Sequence, residues 1–159
     1  MEAVEERQAG LTALERKWME EQEHKGPTVD DVFTDEGKLD EEKLNGGIRD
    51  RLPRPTGWRI SLLPYRGARM TKGGIAIAEE TQKKTQLATT CAYVLEVGPL
   101  AYCDESKFPD GPWCKAGDWI VFGRYAGSRI PIEGGEIRII NDDEVLATIG
   151  DPEDIIHLQ

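Results

Sequence analysis

The sequence predicts an all-β domain over residues 56–159, preceded by an acidic extension, residues 1–55, that is part helix and part disordered tether. Three observations carry this prediction. Short stretches rich in β-branched and aromatic residues recur after Trp58, each closed by glycine, proline or an Asn-Asp turn. One long polar segment, from Gly67 to Thr90, interrupts that rhythm and holds the pair Gly73-Gly74 followed by Ile75-Ala76-Ile77. The first 55 residues carry 15 acidic against 9 basic side chains, about six of the ten net negative charges, and few apolar residues to bury.

Composition narrows the function classes. A chain of 159 residues suits one compact domain with an appendage, and 38% hydrophobic against 31% charged residues leaves room for an extended portion. A net charge of −10 would repel the phosphates of a nucleic acid. No apolar run is long enough to cross a membrane, and the first residues lack the pattern of an export signal, so a cytoplasmic setting is expected. Cys91, Cys103 and Cys114 are then read as reduced thiols, although Cys103 and Cys114 could meet across the segment 99–116. With His24 and His157 as the only histidines and no paired cysteine spacing, neither a metal nor another cofactor is expected.

Taken in order, residues 2–25 read as helix, with Val4, Leu11, Leu14 and Trp18 at heptad-like intervals. That stripe is either a solvated, fraying arm or a face that docks on the β-domain or on another copy. From Gly26 to Arg54, Gly26-Pro27, Gly46-Gly47 and Pro53 punctuate a charged segment that reads as a tether, with one or two helical turns over Asp40–Leu44. Its acidic groups, Asp30-Asp31 and Asp40-Glu41-Glu42, have no pocket-forming neighbours and are read as solvated.

Trp58–Leu63 alternates as a strand with one buried face, and Pro64 ends it. Cys91–Val97 repeats that chemistry until Gly98-Pro99. Residues 99–116 do not alternate and read as loop, whereas Trp119–Phe122 is a continuous apolar run, with Val121 expected in the core. A short strand near Arg129–Ile132 and two more at Glu136–Ile140 and Glu144–Ile149 follow. The last two are joined through Asn141-Asp142-Asp143, and the metal-like acidic cluster Asp142-Asp143-Glu144 is read as the chemistry of that turn. Asp151-Pro152 starts a single helical turn before Ile155-Ile156-His157-Leu158.

In order and spacing these pieces resemble the GroES-type co-chaperonin (chaperonin-10) family: strand, mobile loop with a Gly-Gly-Ile-x-aliphatic tip, strand ending in Val97-Gly98, roof segment, Gly117-Asp118 strand, Tyr125-Ala126-Gly127 and a final hairpin. The resemblance covers roughly residues 56–159. It implies a GroES-like β-barrel, and no enzymatic activity. Its partner would be a GroEL-type chaperonin, bound through Gly73, Gly74, Ile75, Ala76 and Ile77. It also implies a homo-heptameric ring in which Ile155, Ile156, His157 and Leu158 pair with Arg59, Ile60, Ser61, Leu62 and Leu63 of the next copy. Such a ring would enclose the folding chamber for unfolded clients. The extension and the non-alternating roof depart from the family pattern and would suit a viral, phage-type member. Two other readings keep the fold: an assembly protein whose loop grips a different oligomer, and a fragment of a zinc-dependent dehydrogenase, for which the chain is too short to hold a nucleotide domain.

Overall fold

The computed structural model describes residues 10–24, 26–67, 73–78, 80, 81 and 90–155. Six antiparallel strands form one sheet: β1 (Arg59–Pro64), β2 (Cys91–Val97), β3 (Trp119–Phe122), β4 (Ser128–Ile132), β5 (Gly135–Asn141) and β6 (Val145–Ile149), in the spatial order β4-β5-β1-β2-β3-β6. All six expected strands are present, as an all-β fold requires. The roof residues 99–116 form turns without a strand, as their lack of alternation predicts.

Alternation decides what each strand buries. Ile60, Leu62, Ala92, Val94, Ile120, Phe122, Ile140 and Val145 form one core with Tyr102, Phe108 and Cys114 of the roof. The sheet curls around this core. The Arg138 guanidinium in β5 stands 5.0 Å from the centre of the Phe122 ring in β3, although β1 and β2 lie between those strands. Three strand spacings would be about 14 Å in a flat sheet. Val121, expected in the core, is half-buried instead, because the same alternation that sends Ile120 and Phe122 inward turns it out.

The other face of the sheet is also apolar, and here the tether reading fails. Leu63, Tyr93, Leu95 and Ile137 form a second core with Val29, Val32, Phe33, Leu44 and Ile48 from the segment read as solvated linker. Val32 and Leu44 are wholly buried. Short helical turns at Val29–Val32, followed by Phe33, and at Leu44–Ile48 present these side chains, and Asp40 caps the turn between them, Glu41–Lys43, by accepting from the Lys43 N–H at 3.2 Å. The helical-turn expectation near Asp40 therefore holds, while its surroundings are a packed layer. Burying apolar area on both faces of a sheet stabilises more than leaving one face wet, which is why this polar segment lies down.

Helix α1 (Ala13–His24) starts at a capping arrangement, with the Thr12 N–H donating to Glu15 Oε2 at 2.7 Å and the Glu15 N–H to Thr12 Oγ1 at 3.2 Å. Leu14 and Trp18 remain 79% and 62% exposed and do not dock on the described residues, Leu11 is half-buried, and Val4 lies outside the described residues.

The roof is held by an aromatic cluster, Tyr102 edge-on to Phe108 and Phe108 edge-on to Trp113, with ring centres 4.8 and 4.9 Å apart. Two contacts tie it to the β5–β6 turn: the Tyr102 N–H donates to the buried Asp142 at 3.0 Å, and Lys107 pairs with Asp143. The metal-like acidic run is thus occupied as a turn. Cys103 is exposed, Cys114 is buried beside the Tyr102 hydroxyl, and both are free thiols.

Gly98 marks where β2 leaves the sheet across the start of β1. A Cβ there would lie 2.5 Å from the Gly57 carbonyl oxygen and 2.6 Å from that of Arg59, and the Gly98 N–H already donates to the Arg59 oxygen at 2.8 Å. Gly98→Ala must push these backbones apart, at about 1–3 kcal/mol. In a domain of this length that is a fall in Tm of roughly 2–12 °C. A thermal melt unchanged within error would show that the crossing tolerates a methyl group.

Candidate partner-binding loop

Residues 65–90 join the central strands β1 and β2, and their two roots are anchored. On the β1 side the Tyr65 N–H donates to the Cys91 oxygen at 3.0 Å, and the Tyr65 ring stands edge-on to Trp119 at 6.0 Å. Burial and the nearby Glu153 and Asp151 carboxylates push the Tyr65 phenol up to about 12, so it stays neutral and packed across the physiological range. On the β2 side the Thr90 oxygen accepts from the Phe122 N–H at 2.8 Å. Burial likewise raises the Cys91 thiol to about 12, with Asp151 adding to it, which leaves an unreactive thiol beneath the loop.

Between these roots the tip is held outside both cores. Gly73, Gly74 and Ala76 are exposed, and Ile75 is 70% exposed. Ile77 is half-buried, so the two isoleucines are unequal and Ile75 is the more available. Gly74 has φ +82°, a conformation that puts glycine directly before the exposed isoleucine. An isoleucine that is 70% exposed and belongs to neither core presents apolar surface to solvent, which is the chemistry of a partner-binding anchor.

The expected subunit-contact residues are distributed differently. Arg59–Leu63 lie in β1, where Ile60, Ser61 and Leu62 are paired with β2 on one side and β5 on the other, so these three leave no backbone edge for a neighbour. Ile60, Ser61, Leu62 and Leu63 are buried as well. The reason is the strand order, which places the first strand in the middle of the sheet; the open edges are β4 and β6. Ile155 follows the Pro152–Asp154 turn and is half-buried, whereas Ile156, His157 and Leu158 lie outside the described residues.

Sequence reasoning missed the neighbours of the loop root. Arg66 pairs with Asp30 of the covering layer and also donates to the Gly134 carbonyl oxygen. An arginine inside a polar run carries no signal of such a role, and Asp30 reads as solvated in a segment taken for a tether.

A small curled sheet packed on both faces that holds out an exposed apolar loop tip has the form of a binding module. The comparisons specify which kind. The family model for the chaperonin 10 kDa subunit matches residues 54–149. Co-chaperonin GroES of Caldicellulosiruptor saccharolyticus is 38% identical over 98 residues, 62% of this chain and 97% of the relative. Co-chaperonin GroES 1 of Rhodopirellula baltica is 31% identical over 97 residues, 61% and 91% of the two chains. Co-chaperonin GroES of Clostridium botulinum is 32% identical over 96 residues, 60% and 95%. The chain belongs to the chaperonin 10 kDa subunit family, a family of chaperones and not of enzymes. The covering layer, residues 29–52, precedes the matched region.

Proposed function

We propose that this protein is a co-chaperonin that assembles into a ring, of seven copies by family resemblance, and caps a GroEL-type chaperonin through the loop tips at Gly73–Ile77. The observation that carries this reading is the exposed Ile75, set on a tip between two anchored roots in a family of co-chaperonins. Burying two isoleucines is worth about 3–6 kcal/mol gross, while ordering four or five residues costs roughly 4–10 kcal/mol. One loop is therefore a weak ligand. Several loops on one rigid ring bind together through effective concentration, and they release together when the partner changes conformation.

Because Ile60, Ser61 and Leu62 of β1 are paired on both sides, ring contacts through the C-terminal segment would use the ends of β1 or another strand edge. The test is light scattering of the purified protein, then gel filtration with a purified GroEL-type chaperonin and Mg-ATP. A multi-subunit mass and nucleotide-dependent co-elution support the proposal. A monomer that never co-elutes overturns it, and an oligomer that never co-elutes favours the assembly-protein reading.

A further inference from the structure

Three parts of the chain meet at the loop root. Arg66, two residues past β1, is 13% exposed in its side chain, and its guanidinium pairs with the Asp30 carboxylate, donates to the Gly134 carbonyl oxygen and lies 5.5 Å from the centre of the Phe33 ring. The turn beneath is shaped to admit this. Gly134 has φ +81°, and a Cβ there would lie 2.8 Å from Thr28 Cβ; one on Gly135 would overlap the Arg66 guanidinium. The Thr28 N–H in turn donates to Asp31 at 2.7 Å, which fixes the approach of the segment carrying Asp30.

We propose that residues 28–33, ahead of the family-matched region, are a positioning clamp for the binding loop: Asp30 holds Arg66, and through Arg66 fixes where the loop leaves the sheet. The proposal rests on the reading of the loop as the chaperonin contact. Tyr65 is already fixed by its own chain, so the clamp adds Arg66 and carries the anchored part of the chain one residue further toward the tip. A charge-assisted, two-acceptor arginine resists reorientation far better than a single neutral hydrogen bond. From Arg66 to Ile75 the chain can reach at most about 30 Å, so the direction in which the loop leaves decides which part of that range the tip samples. A pre-directed tip loses less freedom on binding.

The experiment compares wild type with Asp30→Asn, which keeps shape and removes charge, and with Asp30→Glu, which restores the charge. Asp30 is half-exposed, so neither change should move Tm by more than about 2 °C. In the free protein the backbone order parameters (15N relaxation) of Arg66 and Gly67 should fall from about 0.85 toward about 0.6 in Asp30→Asn, with β1 unchanged, and return toward wild type in Asp30→Glu. Affinity for the GroEL-type chaperonin should fall about fivefold or more, the low end of ordinary site coupling. Unchanged order at Arg66 and Gly67 overturns the clamp whatever the chaperonin does. Lower order without loss of affinity, in a protein whose wild type binds, overturns its positioning role. Order that falls equally across the sheet shows a merely structural tie and also overturns it. A wild type that binds no chaperonin sinks the functional reading instead, and the relaxation measurement still decides the clamp.

Discussion

If the proposed capping is right, Ile75→Asp should abolish co-elution with a GroEL-type chaperonin while leaving oligomeric mass and Tm where they were. The carboxylate would have to enter an apolar groove without a partner, and that desolvation outweighs the gain from the remaining loop contacts. With one such change in every copy, the loss exceeds a hundredfold because each weakened loop also withdraws its share of effective concentration. The fold should not notice, since Ile75 is 70% exposed and belongs to neither core. Ile77→Asp should show the same binding loss with a slightly larger effect on Tm, because Ile77 is half-buried. Gel filtration and a thermal melt on the same samples decide the matter. An unfolded or dissociated Ile75→Asp protein would place that side chain in a core, and a stable protein that still binds would remove the tip from the interface.

Deleting residues 1–52 should be as damaging to stability as the loop change is to binding. Leu63, Tyr93, Leu95 and Ile137 would lose their cover and face water together. Truncating Leu44 alone to alanine is expected to cost about 2–5 kcal/mol, and in a domain of this length each kcal/mol lowers Tm by roughly 2–4 °C. A fall of more than about 10 °C, or insoluble expression, is therefore the expected outcome. Deleting residues 1–26 is the control: it removes α1, whose Leu14 and Trp18 are exposed, and should leave Tm within about 2 °C. Equal melting of both deletions and the full chain would mean that the cover adds nothing to the fold.

The strands were legible because each announces its own periodicity. Cys91–Val97 and Trp119–Phe122 begin and end where their composition says they should. The cover was not legible from its own residues, since Val29, Val32, Phe33, Leu44 and Ile48 are scattered among charges and acquire meaning only against the sheet. The signal lay in the strand it covers: Ala92-Tyr93-Val94-Leu95 is apolar at every position, the pattern of a strand buried on both faces, and it demands a second layer that nothing downstream supplies. The loop tip was legible only through the ordered series around it, because a Gly-Gly-Ile triplet alone is equally a hairpin. Arg66 and Asp30 were beyond reach, since their pairing depends on a fold of the extension that the sequence conceals.

The place of β1 between β2 and β5 sets a timetable for the protein's birth. When Pro64 has been synthesised, one flank of β1 waits for Cys91–Val97 and the other for Gly135–Asn141. At the usual pace of about 5–20 residues per second, the second flank arrives some 4–15 s after the strand it must join. The cover emerges earlier still, and Ile137 is the last part of the core it packs on to be made. For those seconds Leu62, Leu63 and the apolar residues of the cover lack their full set of native partners on the nascent chain, and transiently exposed apolar surface of this kind favours aggregation.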